Sequence, residues 1–442
     1  MMPAILGDYF ELQRGTTYKS ALLGQPGPVL LGLGSIARNG GFKGDNLKTY
    51  GGPCDPRHLL KPGEIYVSLK DVTQSADLLG AVARVPSYIP LGRLTQDTVK
   101  LVFKQEDAPR TYLYWLLQTP QYREYCRAHS TGTTNLGLAR DDFLNFEVPS
   151  LTRERQWIVD LVQNIEDKIE LNRRMNQTLE GIGQAIFWDW FVHFGPTRRK
   201  AAGETDPVAI MGGLTQDPAC AAELAALFPF AFGDDGWPVS WAETAIGDLV
   251  KAQGGSTPST GEETLWAPAE HYWATPKDLS NMHDFALFDT ARKISDAGLA
   301  KITSGLLPVG SVLLSSRAPI GYLAIAQVPV AINQGFIGLV PNAEVGSAYL
   351  YCWCKANMDK IVANANGSTF QEISKKNFRP ITSALPADRR LIAEFEHVAE
   401  PLFARLIAGA KESRTLAETR DYLLPRLMSG AVRVKPLEAG TA

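Results

Sequence analysis

Arg14-Gly15-Thr16-Thr17-Tyr18-Lys19, Arg38-Asn39, Lys43 to Asn46, Ser68-Leu69-Lys70-Asp71 and Arg93 set cations beside amides and hydroxyls early in the chain. Comparable stretches return at Gln253 to Thr257, Ser315-Ser316-Arg317 and Asn333-Gln334. Such side chains suit a DNA surface, where Arg and Lys meet phosphates or guanine edges and Asn and Gln meet adenine. The candidate contacts are Arg14, Thr16, Thr17, Tyr18, Lys19, Arg38, Asn39, Lys43, Asn46, Ser68, Lys70 and Arg93, then Gln253, Ser256, Thr257, Ser315, Ser316, Arg317, Asn333 and Gln334. Taken singly, each also fits a polar loop that caps a sheet. Recurrence of the set favours a surface that meets the two antiparallel strands of a duplex with equivalent faces.

Other chemistry has little to stand on. The sequence holds no Gly-x-x-x-x-Gly-Lys-Ser/Thr loop, no His-Glu-x-x-His and no Gly-x-Ser-x-Gly elbow. Six histidines are scattered, and of five cysteines only Cys352 and Cys354 lie close together, which reads as reduced core thiols rather than a zinc site or disulfide. Gly32-Leu33-Gly34-Ser35-Ile36-Ala37 partly matches a dinucleotide or S-adenosylmethionine loop, but the glycine-rich Arg38 to Gly44 that follows cannot supply the helix N-terminus a phosphate needs. An amino-methyltransferase would also need an Asn/Asp-Pro-Pro-Tyr segment, and none exists. Glu166-Asp167-Lys168 resembles the tail of a nuclease motif without its upstream Pro-Asp. No catalytic residue, bound cofactor or metal is expected in this chain.

The elements that must position the polar loops occur twice. Ser130-Thr131-Gly132-Thr133-Thr134, with Leu138 and Phe143 beyond it, returns as Gly367-Ser368-Thr369 with Ile373 and Phe378, a shift of 235 residues. Tyr112-Leu113-Tyr114 returns as Tyr349-Leu350-Tyr351, and the turn before Ile65 to Ser68 answers that before Val312 to Ser315. A period this long marks duplicated domains rather than a solenoid of ~20 to 50 residues per repeat. Short β-rich runs split by Gly, Pro, Asn and Asp, with a helix over Tyr112 to Ala128, predict an α+β domain over 1–150 and a second over 237–386.

From 151 to 194 the texture changes: Ile158, Val162, Ile165, Ile169, Leu179 and Ile186 follow helical spacing, as do Phe395, Val398, Leu402, Leu406, Leu416, Leu423 and Leu427 within 387–430. Helices of ~60 Å cannot stand on propensity alone, and connectivity predicts that they pair as an antiparallel coiled coil, a rod between two globular units related by a pseudo-twofold axis. Asn172 and Asn176 fall on the seam, where they either fix register or sit solvated as the stripe drifts. The segment 195–236 reads as an acidic Gly/Pro/Ala-rich connector, partly wrapping the rod, and 431–442 as a flexible tail.

Net charge is −3, yet residues 201 to 236 carry six acids and no Lys or Arg, so the rest of the chain is slightly basic. So little positive charge implies weak DNA binding by the chain alone. No apolar run reaches the ~18 residues of a membrane span and the N-terminus lacks a leader pattern, so a cytoplasmic protein without membrane contact is expected.

The chain resembles the DNA-specificity subunits of Type I restriction-modification enzymes along essentially its whole length. The resemblance rests on Asp167-Lys168-Ile169-Glu170-Leu171-Asn172-Arg173-Arg174-Met175-Asn176, Trp190-Phe191-Val192, Gly254-Gly255-Ser256-Thr257-Pro258-Ser259 and Trp273-Ala274-Thr275-Pro276-Lys277-Asp278-Leu279. It continues through Leu314-Ser315-Ser316-Arg317-Ala318-Pro319-Ile320-Gly321, Asn333-Gln334-Gly335-Phe336 and Leu424-Pro425-Arg426-Leu427-Met428-Ser429-Gly430. Ser256 departs from the pattern by interrupting the usual Gly-Thr-Pro run. The resemblance implies two target-recognition domains that each read half of a split site on double-stranded DNA, and a helical rod that sets the gap and docks two methyltransferase subunits. Two endonuclease and translocase subunits would join through those. S-adenosylmethionine, ATP and Mg²⁺ would then belong to the partners. Two other classes remain open: a drifted nuclease or methyltransferase, which predicts turnover by the purified chain, and a scaffold unrelated to DNA, which predicts no protection of any duplex.

Overall fold

A computed structural model of the chain describes residues 3–44, 47–133, 135–280, 282, 284–367 and 371–428. Asn46, Thr134, His283, Ser368, Thr369, the Ser429-Gly430 pair, the 431–442 tail and the side chain of Leu427 lie outside the described residues. The chain divides into two units, the first made of Met1–Asp167 with Leu416–Ala442 and the second of Lys168–Thr415.

In the first unit the strand Ile65–Ser68 is buried along its whole length because its sheet is covered on both faces. Ile65 and Val67 enter one core with Leu113 and Phe143, and Tyr66 between them enters another with Ala81 and Leu94, as the two-residue strand period requires. That sheet runs Phe10–Arg14, Thr98–Phe103, Ile65–Ser68, Val82–Arg84, all antiparallel. In the second unit Val312 and Leu314 face one core and Leu313 another, within a sheet ordered Lys251–Gly254, Phe336–Val340, Val312–Ser316, Ile320–Ala326. The parallel strand Ala286–Leu287 is added at its edge.

The duplication reaches down to residue register. Val29–Leu31 lies parallel to Gly92–Leu94 in the first unit, as His271–Ala274 lies parallel to Val330–Ile332 in the second. Gly137 pairs with Lys70 and Thr131, and Glu372 forms isolated bridges with Arg317 and Asn366 at the corresponding places. One pairing differs. Leu59–Leu60 joins the later strand of its parallel pair, whereas Arg292–Ile294 joins the earlier. Both units are thus α+β, as the sequence predicts. The helix expected over Tyr112 to Ala128 is two, Arg110–Leu116 and Pro120–Ala128, because Thr119 caps a new start with Pro120 at its first position.

The first long helix, Arg153–Phe187, ends in a π-helical turn Trp188–Val192, and the second spans Arg390–Met428. Within the second unit they run antiparallel: the Asn172 side-chain amide donates to Glu412 Oε2 at 2.8 Å and that of Asn176 to the Leu406 carbonyl at 3.2 Å. Within the first unit Val159 and Val162 share a core with Leu424, and Arg420 pairs with Glu166. Leu424, rather than the expected Leu423, is the buried leucine there. Both seam asparagines are buried, so the solvated alternative is excluded. Gly409 makes their approach possible, since a Cβ there would come 2.7 Å from Asn176 Oδ1. The Oδ1 atoms of Asn172 and Asn176 are buried without partners. Asn176→Leu is therefore expected to raise stability by about 1 kcal/mol, seen as a higher denaturation midpoint. A lower midpoint would mean that the amide stabilises the pair.

The segment expected to be a connector is built into the second unit's core. It forms helices Gly195–Ala201, Pro207–Ile210 and Pro218–Ala226, whose Ile210, Leu224 and Ala225 pack with Phe228, Trp190 and Phe395. Two of its acids have a local role: Asp206 and Asp217 cap helices that open on Pro207 and Pro218. Buried Lys200 donates to the carbonyls of Ala225 and Phe228 at 2.5 and 2.6 Å.

All five cysteines are free. Cys126, Cys352 and Cys354 are buried, and burial pushes the Cys126 thiol up to about 11 and the other two further from ionisation. Cys220 is exposed and Cys54 half-buried, so the expected core role fits three of the five. No helix among the described residues is long and apolar enough to cross a membrane.

Candidate nucleic-acid interface

In the first unit three loops converge where the central sheet meets the Val29–Leu31 pair. Gly15 begins one of them, so close to its neighbour that a Cβ would lie 2.2 Å from the Thr95 carbonyl. Arg14 Nε donates to the Gln96 carbonyl at 3.0 Å, and Lys70 Nζ lies 3.6 Å from Asp97. Thr16, Thr17, Tyr18 and Lys19 are exposed on this loop, with Tyr18 set edge-on to Tyr50 at 6.3 Å.

Arg93 lies beneath the loop rather than on it. Only 3 % exposed, it donates to the Thr17 carbonyl at 2.9 Å, to Thr16 Oγ1 at 3.2 Å and to the Leu94 carbonyl at 3.1 Å, with its guanidinium 4.7 Å from the Tyr50 ring centre. This corrects its expected place at the surface. A strand-borne arginine that finds several carbonyls and a ring can be buried without a carboxylate partner. Ser68 is buried as well, its hydroxyl turned to the Lys70 carbonyl. Arg38, Asn39 and Lys43 are exposed in a different neighbourhood: Arg38 faces Asp77 at 3.9 Å, and Asn39, in the left-handed region at φ 65°, accepts from Arg127 at 3.3 Å.

The second unit repeats the three-loop meeting. Gly255 abuts Ile332 so closely that a Cβ would sit 1.6 Å from its carbonyl, just as Gly15 abuts Leu94 and Thr95. Ser256 donates to the Lys301 carbonyl at 3.3 Å, and exposed Thr257 donates to Gln334 Oε1 at 2.5 Å. Gln253 is half-buried at the start of this loop. Ser315 and Ser316 are buried: Ser315 donates to the Pro319 carbonyl at 2.8 Å and accepts from Tyr322 N, and Ser316 N donates to the Gly335 carbonyl at 2.8 Å. These two, with Ser68 and Arg93, correct the expected surface set. Their side chains shape loops from inside. Arg317 emerges after them, 3.6 Å from Glu372, and Asn333 Oδ1 accepts from Gly335 N at 2.8 Å.

Strand register pairs Gln96 with Gln334, both exposed, and Lys70 with Arg317. Gln96 is absent from the sequence-derived set, because the shift between the repeats is 240 residues at Gly15 and Gly255 but 238 at Gln96 and Gln334, and strand register is needed to align them. Glu270, the half-buried His271 and Asp296 bring a donor each within 4.8 Å of one another, with His271 Nε2 2.7 Å from Asp296 Oδ1, so this histidine is less isolated than its sequence context implies.

Two α+β units with matching loop triplets, and two long helices that pair in antiparallel fashion within each, define a duplicated protein with one polar face per unit. Residues 238–395 match the family model described as the Type I restriction modification DNA specificity domain. The HindI specificity subunit of Haemophilus influenzae is 27 % identical over 358 residues, covering 73 % of this chain and 77 % of that protein. The MjaIX specificity subunit of Methanocaldococcus jannaschii is 34 % identical over 185 residues, 41 % of this chain and 42 % of its own length. The crystal structure of the Type I restriction-modification S subunit from M. genitalium matches with a TM-score of 0.52 at 15 % identity, covering 96 % of this chain and 95 % of that one, and shares the fold. Residues 238–395 thus carry a Type I restriction-modification DNA specificity domain, and most of the chain is similar to a specificity subunit of such an enzyme.

Proposed function

We propose that this chain chooses the DNA sequence for a Type I complex by reading a split double-stranded site, one half per unit, and that it does no chemistry itself. The observation that carries this reading is the pair of equivalent loop triplets, Arg14 to Lys19 with Lys70 and Gln96, and Gln253 to Thr257 with Arg317 and Gln334, built on the same register. Because the two sets differ in side chains, the two half-sites differ in sequence.

The long helices dock two methyltransferase subunits, which in turn recruit two endonuclease and translocase subunits. Supporting this, Trp157, Leu171, Ile182, Trp188 and Tyr422 leave large apolar surface exposed on or at the ends of these helices. S-adenosylmethionine, ATP and Mg²⁺ act on the partners, and the assembly works on DNA in the cytoplasm. In a host that carries this chain with its methyltransferase partner, genome-wide mapping of methylated bases should return a two-part motif that disappears when the chain is deleted. Methylation that persists unchanged without the chain would refute the reading.

A further inference from the structure

Glu270, His271 and Asp296 bring three donor atoms within 4.8 Å of one another in the second unit. Asp296 stands 25 residues beyond His271, so no ligand spacing announces the group in the sequence. The backbone assembles it. Glu270 N donates to the Ile294 carbonyl at 3.1 Å, and His271 pairs with Ile294 across the antiparallel strands His271–Ala274 and Arg292–Ile294. Ser295 then fixes the turn that carries Asp296, its amide donating to the Leu265 carbonyl at 3.1 Å and its hydroxyl to the Thr264 carbonyl at 2.6 Å.

Charge at the group is unbalanced. Two exposed carboxylates meet one half-buried imidazole, and among the described residues neither carboxylate pairs with a lysine or arginine. The cations of the neighbouring strand are drawn onto rings instead: Arg292 lies 3.5 Å from the Trp266 ring centre and Lys293 lies 4.5 Å from that of Tyr272. His271 Nε2, 2.7 Å from Asp296 Oδ1, answers only one of the two carboxylates. One imidazole and two carboxylates suit Zn²⁺ or a similar divalent transition ion, at bonds of about 2.0–2.2 Å that set tetrahedral ligand atoms about 3.4 Å apart. Glu270 and Asp296 are exposed, so each can reach that spacing by a change of rotamer without moving the strands.

We propose that Glu270, His271 and Asp296 bind one divalent transition-metal ion, Zn²⁺ being the best match, through His271 Nε2 and one oxygen of each carboxylate. The imidazole then carries its proton on Nδ1, and the fourth position is left to water. The two units differ at this place. Register sets Leu31 at the position of Ala274, so Gly27 and Pro28 stand where Glu270 and His271 do, and Leu59–Leu60 joins Gly92–Leu94 rather than the earlier strand. Both the ligands and the strand that delivers the third of them are confined to the second unit, and one ion per chain is expected. The ion would also steady the Gln253 to Thr257 loop, because Ser256 donates to the Lys301 carbonyl just beyond the Asp296 turn and accepts at its own carbonyl from Trp273 Nε1 at 3.2 Å. The site does not depend on the DNA-reading function, and its test uses no DNA.

The full chain, stripped of metal by a chelator, is titrated with Zn²⁺ in a calorimeter. Saturable binding of one ion per chain is expected, with a higher denaturation midpoint in the presence of Zn²⁺. Hydrogen exchange should slow over 270–274 and 292–301. His271→Gln, Asp296→Asn and Glu270→Gln should each weaken binding by at least about tenfold, since each removes one of three ligands. Without Zn²⁺ the midpoints of the variants should match that of the parent, which separates lost binding from lost folding. Asp296→Asn and Glu270→Gln, at exposed positions, keep the test decisive if His271→Gln does not fold. No saturable binding at millimolar Zn²⁺ would overturn the assignment. So would equal binding by the parent and all three variants, the mark of an adventitious ion only, or slowed exchange confined to other segments.

Discussion

Replacing Arg93 with alanine should cost the first unit about 2–4 kcal/mol and erase its half of the recognised sequence. The side chain is buried, and its guanidinium satisfies the Thr16, Thr17 and Leu94 carbonyls and the Thr16 hydroxyl while covering the Tyr50 ring. Alanine would leave these acceptors facing a void. Lysine cannot restore them, because a single ammonium lacks the planar fork that reaches several oxygens at once. The exposed loop from Arg14 to Lys19 would then lose its anchor, although none of its own residues had changed. Denaturant unfolding should show the loss of stability, and methylation mapping should show bases lost from one half of the motif and kept in the other. Loss of both halves would mean that Arg93 supports the whole fold rather than one reading loop.

Inserting one helical turn into both long helices should lengthen the gap between half-sites by about one to two base pairs while leaving each half-site intact. A turn adds about 5.4 Å, against ~3.4 Å per base pair of duplex. Both helices must change together. Asn172 faces Glu412 and Asn176 faces Leu406, so a turn placed after Ile169 alone would slide one seam past the other and bury these amides against apolar neighbours. The matched insertion, after Ile169 and after Ser413, leaves Asn172 opposite Glu412 and Asn176 opposite Leu406 and should keep thermal stability, whereas the single insertion should lower it. An unchanged gap with the matched insertion would refute control of spacing by the helices.

The repeat was legible because its landmarks are apolar and positional. Tyr112-Leu113-Tyr114 and Tyr349-Leu350-Tyr351 are buried in corresponding helices, and Ile65 to Ser68 and Val312 to Ser316 each alternate between two cores. The paired helices were legible for the same reason, apart from a one-residue drift that buries Leu424 instead of Leu423. Polar residues were harder to place. Arg93, Ser68, Ser315 and Ser316 look like surface chemistry in a string of letters, yet all four are buried, and the side chains of Arg93, Ser68 and Ser315 donate to loop carbonyls that only the folded chain brings near. The acidic connector misled in a similar way. Its Asp-Pro pairs read as linker composition, but they start helices whose apolar faces complete the second core. Gln96 became visible only when strand register set one repeat against the other.

Each unit is expected to read its own half of the site. The most direct measurement is methylation mapping in a host whose chain has residues 237–386 exchanged for the corresponding segment of a relative with a different motif. The result expected is a hybrid motif, one half replaced and the other retained. A motif that changes in both halves, or in neither while the exchanged protein still directs methylation, would contradict it.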